Sequence, residues 1–230
     1  DDVGPDGVLG TPDDDRLPIF DQRKQLGEDV FVLTHPAGLS SFSQGVELYF
    51  VFAKKRLSLA LSGRAYRDVA TTGTGNEAEQ NDTGVMGSLF DDPNTERHAR
   101  GRLFFDRAFT GKLSVVAEGP RRLELGAAVR YWDGQPFARQ LFFPDLEQGF
   151  TVVQAFPRGR LRYAFNMTVD LRMARRFRIR DLELGLAVDI FNALNQTLQT
   201  EENTRSGDHF REPTAVQPAR TVRLEARVRF

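Results

Sequence analysis

The sequence predicts an all-β chain of antiparallel strands with the pattern of a transmembrane β-barrel segment. Three observations carry this. Apolar residues recur at every second position through most of the chain, the alternation that places one side-chain set on each face of a strand. The alternating stretches run to about ten residues, longer than the usual five or six of soluble strands and long enough to cross a bilayer at a tilt. The connectors alternate between very short and very long, as the turns and outer loops of outer-membrane barrels do.

Residues 1–27 precede the first clear strand and form an acidic, Gly/Asp-rich stretch, "DDVGPDGVLGTPDDD" at its start, predicted as an outer loop. Asp6, Asp13, Asp14 and Asp15 stand among glycines there, a hard-oxygen set of the kind that suits Ca²⁺. The spacing is not that of an EF-hand, and a solvated acidic loop accounts for the same residues. A weaker strand is expected near Val30 to Leu33, so the strand region is 28–230. The chain opens on Asp1 with neither Met nor signal peptide, which reads as a processed or excised piece.

The first hairpin sets Val46, Leu48, Phe50 and Phe52 on one face, turns at Lys54 and Lys55, and returns through Leu57, Leu59 and Leu61. A second pairs Phe109, Leu113, Val115 and Ala117 with Leu123, Leu125, Ala127, Val129 and Tyr131 across "GPRR". The third begins at "RLRYAFNMTVDLRMARRF", where Leu161, Tyr163, Phe165, Met167, Val169, Leu171 and Met173 share a face, and returns after "RIRD" through Leu182, Leu184, Leu186, Val188 and Ile190. The last strand ends in "RTVRLEARVRF", with Leu224, Ala226, Val228 and Phe230 on the apolar face. About eight strands result. Between them, residues 67–101, 133–159 and 193–218 are long, polar and rich in turn formers, and are expected as outer loops.

A β-sandwich produces the same alternation, so the faces decide. The aromatic residues gather near the strand ends: Phe52, Phe177 and Phe230 at the short-turn side, Phe109, Tyr131, Tyr163 and Phe165 at the long-loop side, as interfacial girdles do. The opposite faces carry charges of both signs, including Arg160, Arg162, Arg172, Arg223, Arg227 and Arg229 beside Glu124, Asp170, Asp189 and Glu225. In a barrel these line a wet lumen and pair across strands.

Composition closes other routes. With 40% hydrophobic and 27% charged residues and a net charge of -1, the chain lacks the basic excess of a nucleic-acid binder. No apolar run reaches the roughly 18 residues of a transmembrane helix. There are no cysteines, hence no disulfide and no thiolate metal site. His35, His98 and His209 are joined by no metal spacing or nucleophile motif, so no enzymatic chemistry is assigned. "RYWDGQPFAR" places Trp132, Asp133, Phe137 and Arg139 at a loop mouth as candidate ligand contacts, although a turn packed by its aromatics explains them equally.

The order of the stretches "FSQGVELYFVFAKKRLSLALSGRAY", "DDPNTERHARGRLFFDRAFTGKLSVV", "LGAAVRYWDGQPFARQ", "VDLRMARRFRI", "LAVDIFNALNQT" and "PARTVRLEARVRF" resembles the carboxyl-terminal part of TonB-dependent outer-membrane receptors. It is most similar to the Oar-like subgroup, whose members carry a carboxypeptidase-regulatory-like amino-terminal domain. The resemblance implies about eight strands of a larger barrel of about 22 strands that is closed by a plug. It implies a place in the bacterial outer membrane and a transport role for a large nutrient of siderophore, oligosaccharide or peptide class. The implied partners are outer-membrane lipid, the barrel assembly machinery and the TonB complex, the last through an amino-terminal part not among these residues. Phe230, with Val228, Ala226 and Leu224, matches the terminal assembly signal of the family, and no catalytic residue or cofactor is implied. Two other readings stand beside it: a self-contained eight-stranded outer-membrane barrel, and a secreted, calcium-stabilised, carbohydrate-binding sandwich.

Overall fold

Strand alternation over long windows yields a meander of antiparallel strands, each paired with the next long strand in sequence. The computed structural model describes residues 17–22, 27, 40–71, 93–180 and 182–230. The strands are β1 (Phe42–Lys54), β2 (Leu57–Thr71), β3 (Arg100–Arg102), β4 (Phe109–Glu118), β5 (Leu123–Trp132), β6 (Pro136–Phe137), β7 (Gln140–Phe143), β8 (Thr151–Gln154), β9 (Leu161–Arg162), β10 (Asn166–Ile179), β11 (Leu182–Phe191), β12 (Gln199–Glu202), β13 (Pro213–Val216) and β14 (Thr221–Arg229). One sheet holds β1-β2-β4-β5-β10-β11-β14 in that order, with β3 beside the outer end of β2. Its first and last strands, β1 and β14, each have one neighbour in this sheet, and the sheet is open.

Register fixes the two faces. Phe52, Leu59, Val115, Ala127, Leu171, Ile190 and Val222 are successive cross-strand partners, so one apolar row crosses all seven long strands. A parallel row runs through Leu125, Met173, Val188 and Leu224. Because the side-chain period is two, every row between them belongs to the other face, where Arg172, Asp189 and Arg223 are partners.

The described residues leave the apolar face uncovered. Phe50, Leu125, Met173, Leu186 and Val222 are all exposed, and Leu224 keeps 77% of its surface open. Among the described residues no second sheet packs on this face. Each such side chain gains about 1.5–3 kcal/mol when fully removed from water, so a face of this extent demands an apolar covering.

The short connections use left-handed residues rather than glycine. Lys55 (φ 49°) turns β1 into β2, and Arg121 and Arg122 (φ 55° and 57°) turn β4 into β5. Two successive residues at positive φ match the primed turns whose twist suits a hairpin. Arg180, at the β10–β11 connection, has φ 57° as well.

The opposite end departs from the expected structureless loops. Hairpins β6–β9, β7–β8 and β12–β13 build a second layer there, and β2 continues to Thr71 within the stretch 67–101. The buried core of the described residues lies in this layer: Ala138, Leu141, Ala155 and Phe156 form one cluster, with Leu17, Phe143 and Leu161 against it. The continuous strand expected from Leu161 to Met173 is broken as well. The chain leaves β9 at Arg162 and joins the sheet only at Asn166, so Tyr163 turns inward and stacks on Phe137 with centroids 4.8 Å apart. Tyr163 is therefore core rather than girdle. Phe165, also outside the strands, is exposed, with its ring centroid 5.7 Å from that of Tyr131. Val30 to Leu33 lie outside the described residues.

Candidate functional site

Two faces of chemistry stand out: the charged face of the sheet and the outer layer above it. On the charged face, antiparallel register puts Asp189 of β11 between Arg172 of β10 and Arg223 of β14. Arg172 donates to both Asp189 carboxylate oxygens (2.7 and 2.9 Å), and Arg223 donates to Oδ2 at 2.9 and 3.0 Å. Arg172 reaches Glu225 at 3.4 Å, and Arg227 reaches it at 3.2 Å. Towards the outer end Arg130 pairs with Asp170 at 2.6 Å. A cleft of about 350 Å³ lies along this network, lined by Glu124, Arg172, Arg176, Glu225, Arg227 and Arg229 among others. The other face carries a hollow of about 480 Å³ lined by Val115, Leu125, Leu171, Met173 and Val188.

The outer layer is organised by Asp106, which is fully buried. Its carboxylate accepts from Arg102 (2.6 Å), Arg162 (3.2 Å) and the backbone amides of Asp68 (3.1 Å) and Ala108 (2.9 Å). Its carbonyl accepts from Arg162 at 2.6 Å. One side chain thereby ties the end of β2, the β3–β4 connection and β9 together. The contact to the Ala108 amide is an Asx turn, and Ala108 sits at φ 52°. Beside it the Tyr66 hydroxyl donates to the Phe105 carbonyl and accepts from the Arg107 amide, each at 2.9 Å. Burial lowers the Arg107 pKa from its ordinary value.

An arginine and aromatic core fills the layer's centre. Arg139 is 2% exposed, with its guanidinium 5.9 Å from the Phe156 ring centroid and 5.8 Å from that of Phe210. Arg211 stands 5.8 Å over Phe137 and donates to Glu202 at 2.7 Å. Burial pushes Arg158 down to about 10, which leaves it charged at neutral pH. The β12–β13 connection is locked onto β7: the Gln140 amide donates to the Thr204 carbonyl and the Ser206 amide donates to the Gln140 carbonyl, both at 2.9 Å. Gly134 permits the closest crossing, since a Cβ there would lie 1.9 Å from the Tyr163 carbonyl oxygen.

Set against the expected residues, the structure divides them. Trp132 ends β5, and Asp133 accepts from the Tyr131 hydroxyl at 2.6 Å, both half-buried at the sheet's outer rim. Phe137 (0% exposed) and Arg139 are enclosed in the layer rather than presented at a mouth. Arg160 and Arg162 belong to the outer layer as well, Arg160 5.3 Å over Phe156 and Arg162 on Asp106, so they leave the set expected to line the lumen. Arg172, Arg223 and Arg227 are ion-paired as expected. Leu224, Ala226 and Val228 face Val188, Leu186 and Leu184 on the apolar side, with Phe230 fully exposed beyond β14. Asp6, Asp13, Asp14, Asp15 and His35 lie outside the described residues. Among the described residues no group of three His, Cys, Asp or Glu side chains is placed to hold a metal ion.

Two organising residues were missed in the sequence. Asp106 had a local signal, an Asp two residues before a turn inside "FFDRAFT". Asn192 had another: Asn192 and Asn195 in "FNALN" both take positive φ, which Asn tolerates. The Asn192 side chain donates to the carbonyls of Gln196 (2.9 Å) and Pro218 (2.8 Å), closing the base of the 193–218 connection. No protein-family model, curated protein or solved structure matches the chain.

Proposed function

We propose that the chain is the carboxyl-terminal barrel portion of a TonB-dependent outer-membrane transporter for a large nutrient of siderophore, oligosaccharide or peptide class. The observation that carries this reading is the uncovered apolar face, continuous across seven antiparallel strands and backed by a charged face. In a bilayer lipid covers the first, and the second lines a wet lumen. Strands of 9 to 15 residues, as in β14 and β2, span the hydrocarbon at a tilt. The short turns at Lys55, Arg121 and Arg180 then face the periplasm, and the folded outer layer faces the exterior. The edges of β1 and β14 that have no partner among the described residues take the neighbouring strands of a larger barrel, since an unpaired edge in hydrocarbon costs several kcal/mol per backbone group.

The rivals fit less well. A secreted sandwich needs a second layer on the apolar face. A small self-contained barrel needs an even count of full strands; among the described residues seven long strands pair in the sheet, and β3 has three residues.

Fractionation of source cells with an antibody against this chain tests the reading. A band several times larger than 25.9 kDa in the outer membrane is expected. A band near that mass in the same fraction favours the small barrel, and a soluble band overturns the membrane reading. Deletion of Phe230 is expected to lower outer-membrane levels while export to the periplasm continues; unchanged levels would remove the assembly role of the terminal residues.

A further inference from the structure

The described amino-terminal segment, Leu17–Gln22, lies on the outer layer as a guest peptide lies on a receptor. It belongs to no strand, and its hydrogen bonds run to residues 74 to 128 positions away. Asn94, fully buried, grips the backbone of Phe20 from both sides: its Oδ1 accepts from the Phe20 amide at 2.8 Å, and its Nδ2 donates to the Phe20 carbonyl at 2.9 Å. Gln148 repeats the device one step on, donating to the same carbonyl at 2.8 Å and accepting from the Gln22 amide at 2.9 Å. The Glu147 amide donates to the Asp21 carboxylate at 2.9 Å. Leu17 packs against the apolar cluster of the layer, and Leu17 and Ile19 are half-buried while Pro18 and Phe20 are exposed, the alternation of an extended chain.

We infer that Asn94, Gln148 and Glu147 form a binding site for an extended peptide, whose resident occupant is the chain's own Leu17–Gln22. Side-chain amides that bracket main-chain groups read an extended backbone with little regard to sequence, as strand-addition sites do. Selectivity comes from three points. The residue in the Phe20 position needs an N–H and so excludes proline, the next residue supplies an acceptor to the Glu147 amide, and two apolar side chains spaced as Leu17 and Ile19 meet the layer.

The resident segment is held by side-chain clamps rather than by a strand ladder and is replaceable. It has no ladder, buries two apolar side chains in part, and leaves the Phe20 ring 50% exposed, features of a locally unstable element. A tethered segment competes at an effective concentration of about millimolar, so a free peptide binds tightly only when the resident segment's own contacts are weakened. The inference concerns the outer layer alone and does not rest on transport; the fractionation experiment tests that reading separately.

The test uses the purified full chain in detergent and a dye-labelled peptide, Leu-Pro-Ile-Phe-Asp-Gln, followed by anisotropy. In the chain, Phe20→Pro removes the amide that Asn94 accepts from and leaves the groove residues in place. The peptide is expected to bind this variant at least about tenfold more tightly than the unaltered chain, because the competitor is weakened. A second peptide with proline in place of its phenylalanine is expected to lose that binding on the same protein, a control that requires no change to Asn94. Equal binding of the two peptides, equal affinity for the two chains, or no binding to Phe20→Pro overturns the site.

Discussion

The sheet and the outer layer treat the same residue types in opposite ways. On the sheet, Phe50, Leu224 and Val228 stand open, and the charged residues Asp189 and Arg172 make the shielded contacts. In the layer, Phe137 and Val153 are wholly buried, as in an ordinary globular core, while Phe105, Phe150 and Val216 remain exposed at its surface. The connectors thus bury apolar side chains in a core of their own, whereas the long strands are joined by ladder hydrogen bonds and leave their apolar row exposed. On the membrane reading proposed above the two regions answer to different solvents, and a substitution is then judged by which solvent its side chain meets.

The largest expected effect breaks the layer and reaches the sheet at the end of β2, where Asp106 accepts from the Asp68 amide. Asp106→Ala leaves Arg102 and Arg162 without their shared carboxylate in a buried site, a loss of about 3–5 kcal/mol of local stability. Hydrogen exchange is expected to show this over Leu103–Arg107 and Gly134–Arg162, with the amides of β4, β5 and β10 unchanged. An equal loss in those strands would mean that the two regions fold as one unit. Asp106→Asn, which keeps acceptors but not the charge, should be milder.

The next effect distinguishes the two faces of one strand. Leu125 and Glu124 are neighbours on β5, Leu125 paired with Met173 on the apolar side and Glu124 with Ala174 on the charged side. Leu125→Arg is expected to cost about 2–4 kcal/mol in a folding titration in lipid, the penalty for a cation near the bilayer midplane. Glu124→Arg loses only a long, exposed contact to Arg176 at 4.0 Å, and exposed pairs are worth about 0–1 kcal/mol. Equal tolerance at the two sites would remove the lipid-facing assignment.

How much was legible in the sequence follows the same division. The long strands were readable because their signal is local: a period of two sustained over about ten residues, with each hairpin partner next in sequence. The layer was not, because β6 and β9 have two residues each and pair across a gap from Phe137 to Leu161. Tyr163 shows how the error arises. Its alternation continues unbroken into Met167 and Val169, but the backbone leaves the sheet between β9 and β10, and periodicity does not register that departure. Asp106 and Asn94 carried no assignment in the sequence, because burial of a single polar side chain depends on partners far off in sequence. The candidate site was half legible for this reason: the ion-paired arginines of the sheet were expected, while the clamps and braces of the layer were not.

The smallest effect tests the layer's edge. His209 lies in the β12–β13 connection, exposed, with Nδ1 2.9 Å from Glu212 Oε1. The hydrogen bond to Glu212, with its charge, raises the His209 pKa above the usual value. A group whose folded pKa is raised stabilises the fold below its unfolded pKa of about 6.5, and that contribution disappears as pH rises through the folded value. The connection should therefore be slightly better ordered at about pH 5.5 than at about pH 8, the change falling between the ordinary histidine value and the raised folded one. Exchange rates for Asn203–Glu212, corrected for intrinsic pH dependence, measure it, and His209→Gln should abolish the difference. Because the pair is fully solvated the change is small and should fade with added salt. A large pH effect on β7, which this connection contacts through Gln140, would instead mean that the edge and the buried centre of the layer respond as one.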